Sequence, residues 1–129
     1  MIADDTATIR ESMSNLIARL PDVEIVGLAE TGTQALEMIR SHRPDIATLD
    51  IRMPELSGIK VLEAIRSEQL PVTVIMLSGL EESEYKKKCL SLGAKHYFHK
   101  AMEFESVVEI LKQTAADLNG GASLSAGGQ

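Results

Sequence analysis

The stretch Asp45-Ile46-Ala47-Thr48-Leu49-Asp50-Ile51-Arg52-Met53-Pro54 indicates both the fold and the place of the chemistry. Its apolar run is long enough for a buried strand and too short for a helix. The run ends on the carboxylate of Asp50, and Pro54 prevents regular strand pairing beyond it. In open parallel α/β sheets, ligands bind outside the carboxyl ends of the strands. Asp50 is therefore a candidate reactive residue, although taken alone it fits a turn aspartate equally well.

Length and composition indicate one small acidic domain. The 129 residues, 44% of them hydrophobic, suffice for a single core and argue against disorder. No apolar run approaches the length of a membrane span, and no signal-peptide pattern opens the chain. A single cysteine, Cys89, suits a reducing compartment, so we expect a cytoplasmic protein without a membrane partner. The net charge of −6 argues against nucleic-acid binding by this domain.

Hydrophobic periodicity alternates between strands and helices. The predicted strands are Met1–Ala3 (unusually short), Val23–Leu28, Asp45–Asp50, Val72–Leu77 and Ala94–Phe98. The predicted helices run from about Ile9 to Leu20, from about Ser57 to Glu68, from Glu81 to Leu92 and from Phe104 to Leu118. A further helix is opened by the capping box Thr31-Gly32-Thr33-Gln34 and ends at His42. This α/β pattern predicts a doubly wound parallel sheet with helices on both faces, in a domain of residues 1–118. Residues 119–129, rich in glycine and serine, are expected to form a flexible C-terminal tail or linker.

Polar residues at four predicted strand ends form a candidate site. They are Asp4, Asp5, Asp50, Ser78 and Lys100. Carboxylates gathered at one sheet edge repel one another unless a cation joins them, and hard oxygen ligands with open positions suit Mg²⁺. A lysine and a hydroxyl beside them would stabilise a transferring phosphoryl group, with the carboxylate of Asp50 as the nucleophile.

Five motifs in order resemble the receiver domain of two-component response regulators over about residues 2 to 118. They are Asp4-Asp5; Asp50-Ile51-Arg52-Met53-Pro54 with Gly58; Leu77-Ser78-Gly79; Gly93-Ala94; and Tyr97-Phe98-His99-Lys100. The resemblance implies a flavodoxin-like (βα)5 fold with a five-stranded sheet in the order 2-1-3-4-5. It also implies that Asp50 accepts a phosphoryl group from a sensor histidine kinase or a phosphotransfer protein.

The same resemblance implies a role for each remaining site residue. Asp4, Asp5 and the backbone carbonyl of Arg52 would share Mg²⁺ with Asp50. Ser78 and Lys100 would contact the phosphoryl oxygens, and Ser78 with Tyr97 would form the switch. We expect no enzymatic activity beyond self-catalysed phosphoryl acceptance and slow autodephosphorylation. The chain departs from the family pattern at Ala101, where many members have a proline.

The expected output is a change of partner surface. The segment Glu81–Leu92 has a thin apolar stripe, which predicts low local stability. We expect it to form, with Ala94–Phe98 and Phe104–Leu118, the face that binds a downstream protein, an output domain or a second copy after phosphorylation. Whether the chain is a stand-alone receiver or part of a longer regulator stays open.

Other interpretations compete with this one. Asp4 and Asp5 would also suit the start of a helix, Ser78-Gly79-Leu80-Glu81 also fits a capping box, and Lys100 alone would be a surface charge. A flavodoxin is disfavoured because Asp4 and Asp5 would repel FMN. A dehalogenase-type phosphatase would need a second aspartate where Arg52 stands. The main alternative is a receiver-like module that binds partners without phosphorylation.

Overall fold

The structure, a computed structural model, describes residues 1–79, 84–100 and 103–128, with side chains described as far as Leu118. The strands are β1 (Ile2–Ala3), β2 (Leu28–Ala29), β3 (Ile46–Asp50), β4 (Thr73–Ser78) and β5 (His96–His99). The helices are α1 (Ala7–Ile17), α2 (Gly32–His42), α3 (Gly58–Ser67), α4 (Lys86–Ser91) and α5 (Phe104–Gly128). The alternation expected from the periodicity is confirmed.

The strands form one parallel sheet in the order β2-β1-β3-β4-β5. This order confirms the flavodoxin-like topology. In the register, Asp50 of β3 lies beside Leu77 of β4, and Ser78 lies beside His99 of β5. Polar residues that follow or end neighbouring strands are therefore brought to one edge of the sheet, as the sequence predicts.

Two apolar clusters cover the two faces of the sheet, because successive strand residues point to opposite sides. Along β4, Val74 and Met76 face the cluster built with α2 and α3. Ile75 and Leu77 face the cluster built with α1 and α5. The central strands are buried on both faces, which explains why they appear in the sequence as continuous apolar runs.

Two helices begin at side-chain caps. Thr31 Oγ1 accepts a hydrogen bond from the backbone N–H of Gln34 at 3.1 Å, at the start of α2. Ser57 Oγ accepts one from the backbone N–H of Lys60 at 3.2 Å, at the start of α3. Both caps satisfy amide groups that the first helical turn leaves without a partner.

The extent of the second strand differs from the prediction. β2 has only two residues, whereas the sequence predicts a strand over Val23–Leu28. The side chains of residues 23–29 do alternate in exposure, as in a strand. A strand also needs a partner, and β1 is only two residues long. Residues 23–26 therefore have no neighbouring strand with which to pair.

The edge elements are also displaced from their predicted limits. β5 covers His96–His99 instead of Ala94–Phe98, because its pairing with β4 sets the register. The helix predicted over Glu81–Leu92 appears as α4, Lys86–Ser91, and residues 81–83 lie outside the described part. Cys89 is its one fully buried residue, while Tyr85 just before it and Leu90 are 36% and 40% exposed. This limited burial agrees with the thin apolar stripe.

The last helix continues past Leu118 to Gly128, whereas the composition predicts a flexible segment there. An existing helix gains one backbone hydrogen bond for each added residue, since nucleation has already occurred upstream. The division into a domain of residues 1–118 and a tail or linker of residues 119–129 stays a prediction. No helix in the described ranges combines the length and apolar character needed to cross a membrane.

Candidate functional site

Asp50 ends β3 and is 3% exposed. The loop after β3 folds back, so that the N–H of Gly58, the first residue of α3, donates a hydrogen bond to the carbonyl of Ile51 at 2.8 Å. A Cβ atom on Gly58 would lie 2.0 Å from the carbonyl oxygen of Asp50. Only glycine fits there, so the start of α3 packs directly against the backbone that presents the Asp50 carboxylate.

Asp4 and Asp5 follow β1 but occupy different environments. Asp4 is fully buried, and its Oδ1 accepts a hydrogen bond from the N–H of Thr6 at 2.8 Å. Asp5 is exposed. One carboxylate oxygen from each of Asp4, Asp5 and Asp50 lies within 4.8 Å of the others. The structure thus brings together the three acidic residues that the sequence predicts as one cluster.

Lys100 follows β5 and lies across this cluster. Its backbone N–H donates to the carbonyl of Ser78 at 2.9 Å, which holds the lysine against the end of β4. Its Nζ lies 3.2 Å from Asp50 Oδ2 and 3.5 Å from Asp4 Oδ2. Its ammonium group therefore pairs with two of the three carboxylates, and the cluster keeps an excess of negative charge.

The excess charge appears in the pKa values. Burial, and after it the charge of Asp4, raises the pKa of Asp50 to about 7, against the opposing effect of Lys100. Burial alone would lower the pKa of the Lys100 ammonium, but the carboxylates of Asp50 and Asp4 outweigh it and hold this pKa above its usual value. The cluster is thus an incompletely neutralised acidic site.

The donor set fits a hard divalent cation. Carboxylate oxygens are the ligands that Mg²⁺ prefers, and Mg²⁺ usually keeps positions for water and phosphate. Asp4 Oδ2 is buried and has no hydrogen-bond partner among the described residues, its contact being the ion pair with Lys100 at 3.5 Å. A buried carboxylate oxygen without a hydrogen bond is costly unless a cation compensates it. Arg52 lies two residues beyond Asp50, and the contribution of its backbone carbonyl stays a prediction.

Ser78 and Tyr97 lie on the neighbouring strands β4 and β5. Ser78 ends β4, is 1% exposed, and its Oγ lies 3.5 Å from the carbonyl oxygen of Phe98. That distance is at the long limit for a hydroxyl hydrogen bond, so the bond is weak. Tyr97 lies beside Met76 and is buried in the core cluster on the α2 and α3 face. The capping motif considered for Ser78–Glu81 extends outside the described residues, as does Ala101.

The sequence interpretation missed Arg10. Its guanidinium donates to the backbone carbonyl of Asp4 at 2.7 Å and pairs with Glu30 Oε2 at 3.3 Å. Arg10 thereby links α1 to the turn that carries Asp4 and to the end of β2. Arg10 lies one helical turn after Thr6, and residues four apart lie on one helix face. This spacing was the signal in the sequence that could have placed Arg10 beside the turn that carries Asp4.

Comparison with known proteins identifies the family. The family model of the response regulator receiver domain matches residues 1–112. The chain belongs to this family. Over 115 residues it is 37% identical to a protein-glutamate methylesterase/protein-glutamine glutaminase from Nocardioides sp., covering 88% of the chain and 31% of that relative. Over 116 residues it is 33% identical to the nitrate/nitrite response regulator protein NarL of Escherichia coli (strain K12), covering 90% of the chain and 54% of NarL.

Solved structures agree with this assignment. The signal receiver domain of the putative response regulator NarL from Mycobacterium tuberculosis superposes with a TM-score of 0.80 at 33% identity, covering 88% of this chain and 92% of that one. The response regulator domain of Thermotoga maritima CheB gives 0.78 at 32% identity, covering 92% and 93%. The receiver thus spans only about a third to a half of the length of these curated relatives.

Proposed function

We propose that this receiver accepts a phosphoryl group on Asp50, in a Mg²⁺-dependent reaction, and thereby changes the surface that it offers to a partner. The donor would be a sensor histidine kinase or a phosphotransfer protein. The observation that supports this most is the buried Asp50 carboxylate, held 3.2 Å from Lys100 beside the acidic residues Asp4 and Asp5. These groups at one sheet edge would supply the nucleophile, the positive charge and the cation ligands that the proposed reaction needs.

The proposed transfer uses these residues as follows. A carboxylate oxygen of Asp50 forms a bond to phosphorus while the P–N bond of the donor phosphohistidine breaks, and the imidazole nitrogen keeps the electron pair. Lys100 stabilises the charge on the phosphoryl oxygens, and Ser78 donates a hydrogen bond to one of them. Bound by Asp4, Asp5, Asp50 and the Arg52 carbonyl, Mg²⁺ would neutralise further charge. The domain itself would only accept the group and slowly lose it by hydrolysis.

Labelling with a small phosphodonor tests the chemistry. Incubation with acetyl phosphate and Mg²⁺ should add one phosphoryl group, detected by intact mass, which is stable in acid and labile in base. Asp50→Asn should abolish the addition, and a chelator should prevent it in the parent. Asp45→Asn is the matched control, because Asp45 is an exposed carboxylate just before the start of the same strand.

Equal labelling of Asp50→Asn and the parent would reject Asp50 as the acceptor. If the parent takes no label from acetyl phosphate or from a phosphorylated donor protein, while it binds a partner equally well with and without the donor, the phosphorylation-independent module replaces this proposal.

The proposed switch starts at Ser78. Breaking the 3.5 Å hydrogen bond from Ser78 to the Phe98 carbonyl costs little free energy, because the bond is weak. A phosphoryl oxygen on Asp50 would offer Ser78 a stronger, charge-assisted hydrogen bond instead. Movement of Ser78 would free space beside β5, which carries Tyr97. A differential interaction of about 1–3 kcal/mol is enough to shift a two-state equilibrium several-fold or more.

This route predicts that Ser78→Ala still accepts phosphoryl but responds weakly at the partner surface. Labelling and partner affinity should be measured on one preparation, with Ser67→Ala as the control on the exposed side of α3. A full gain of affinity in phosphorylated Ser78→Ala would exclude the route.

The proposed partner surface consists of α4, β5 and α5. Three apolar side chains on or beside these elements are exposed: Tyr85, Leu90 and Leu118 at 36%, 40% and 41%. Exposed apolar side chains on a surface suit contact with an output domain, a separate downstream protein or a second copy. Phosphorylation should change amide exchange within 84–100 and 104–118. Changes confined to α1 would contradict this assignment. With a net charge of −6, the domain is not proposed to bind nucleic acid itself.

A further inference from the structure

Asp4 is held through each of its polar groups except one carboxylate oxygen. Its backbone N–H donates to the carbonyl of Ala29 at 3.0 Å, and its Oδ1 accepts from the N–H of Thr6 at 2.8 Å. Its backbone carbonyl accepts from the guanidinium of Arg10 at 2.7 Å. The remaining atom, Oδ2, has no hydrogen bond among the described residues and lies 3.5 Å from Lys100 Nζ. Oδ2 is therefore the carboxylate oxygen of Asp4 that a cation can use.

The hydrogen bond from Arg10 differs from the other two because a side chain makes it. The other partners are backbone groups, which a substitution leaves in place. Arg10 lies on α1, six positions after Asp4, and its side chain is only 17% exposed, so water competes little for the bond. A guanidinium carries its donors in a rigid fork, so one nitrogen can bind a carbonyl while another faces a carboxylate.

Glu30 holds the second branch of this fork. Its Oε2 lies 3.3 Å from Nη2 of Arg10, although its side chain is 63% exposed. Its backbone N–H donates to Oε1 of Gln34 at 3.0 Å, and the N–H of Gln34 donates to Oγ1 of Thr31 at 3.1 Å. These hydrogen bonds form at the start of α2. The start of α2 is thus connected, through Glu30 and Arg10, to the turn that carries Asp4.

We propose that Arg10 is a positioning residue for the cation: by holding the Asp4 carbonyl, it keeps Oδ2 of Asp4 in the orientation that binds Mg²⁺. This inference rests on the proposed Mg²⁺-dependent function. Asp5 is exposed, and its Oδ1 has only a 3.4 Å contact with Thr6 Oγ1, so Asp4 is the ligand that is oriented before the ion arrives. Groups that orient metal ligands in this way contribute about 10–100-fold to metal affinity.

Charge and positioning predict opposite results when this arginine is lost. A positive charge near a cation site repels the cation, so removal of the Arg10 guanidinium should by charge alone strengthen Mg²⁺ binding. Loss of positioning should weaken it. A role of Arg10 in stability alone would lower the midpoint of thermal unfolding and leave the affinity unchanged or higher. The sign of the change in affinity therefore separates positioning from the other two roles.

The test is a Mg²⁺ titration of the unphosphorylated protein, followed by the amide NMR shifts of residues 4–6 and 50–52. Arg10→Met should raise the dissociation constant about 10-fold. Arg10→Lys keeps the charge but loses the fork, and should raise it about 3-fold. Arg19→Met is the matched control, because Arg19 is an exposed arginine just after the end of α1, and it should leave the dissociation constant unchanged. Thermal unfolding of the same preparations measures stability separately.

Two results would overturn this proposal alone. The first is a dissociation constant equal to or below that of the parent in Arg10→Met, or in Arg10→Lys where Arg10→Met does not fold. The second is equal weakening by Arg19→Met, which would show an effect that does not depend on the contact with Asp4. Absence of Mg²⁺ binding by the parent itself would instead reject the proposed Mg²⁺-dependent function, and this inference with it.

Discussion

The two ends of the parallel sheet differ in what keeps them from ideal packing. At the carboxyl ends of the strands, the backbone is tightly packed and the charges are not balanced, because a cluster of three carboxylates has one ammonium group, which pairs with two of them. At the opposite end, β1 is only two residues long, and a cavity of about 300 Å³ remains there, lined by apolar residues such as Ile25 and Ile46 and by charged ones such as Asp45. The first imbalance is electrostatic and suits chemistry, while the second is steric. Substitutions at each end of the sheet test these two imbalances separately.

The largest expected effect is on chemistry at the charged end. Lys100→Met should lower the initial rate of labelling by acetyl phosphate about 100-fold, because a preorganised charge at the phosphoryl oxygens is lost. Initial rates from intact mass measure this. Lys95→Met is the control, since Lys95 is an exposed lysine just before β5. A rate within twofold of the parent would remove Lys100 from the transfer.

The tight backbone at this end gives the next largest effect among the substitutions. Gly58→Ala should lower the free energy of unfolding by about 3 kcal/mol, because its Cβ would meet the Asp50 carbonyl at 2.0 Å. The higher helix propensity of alanine offsets only about 1 kcal/mol of this loss. Urea unfolding measures the change.

Gly27→Ala is the matched control for that experiment. Its Cβ would meet the Met38 sulfur at 2.9 Å, at the end of a flexible side chain that can move. We expect Gly27→Ala to lower the free energy of unfolding by much less than Gly58→Ala does. Equal losses would show that the approach of α3 to β3 is not rigid.

The charge imbalance predicts an unusual pH dependence in the metal-free protein. The pKa of Asp50 is about 7 when folded and 3.8 in the unfolded reference, so its contribution is fully present below pH 4 and is lost as the pH rises through 7. The free energy of unfolding should fall by on the order of 4 kcal/mol over that range. Urea titrations in a chelator should show this fall in the parent and not in Asp50→Asn. A parent curve parallel to that of Asp50→Asn would contradict the raised pKa.

The smallest effect is expected at the opposite end of the sheet, beside the 300 Å³ cavity. Thr48→Val should raise the free energy of unfolding by about 1 kcal/mol, because it replaces a buried hydroxyl without a hydrogen bond by a methyl group of similar size. Labelling at Asp50 should stay unchanged. Thr73→Val, at the half-buried start of β4, should give a smaller gain. A loss of stability in Thr48→Val would show that its hydroxyl is satisfied.

Much of the charged end is predictable from the sequence, since it depends on where strands stop. Asp50 and Ser78 each end an apolar run, and parallel strands gather their carboxyl ends at one edge. The caps at Thr31 and Ser57 are equally local, because each is made with an amide three residues away. The resemblance to receivers added the strand order, which periodicity leaves open.

Other features depend on groups distant in the chain, and only the tertiary structure decides them. Asp4 is buried and Asp5 exposed, although they are adjacent and chemically identical. The raised pKa of Asp50 comes from burial and from Asp4, 46 positions earlier in the chain. The run from Val23 has the alternation of a strand and is not one, because no strand lies beside it. Local hydrogen bonds and periodicity are set by neighbours in sequence, whereas burial, pairing and pKa are set by whatever packs alongside.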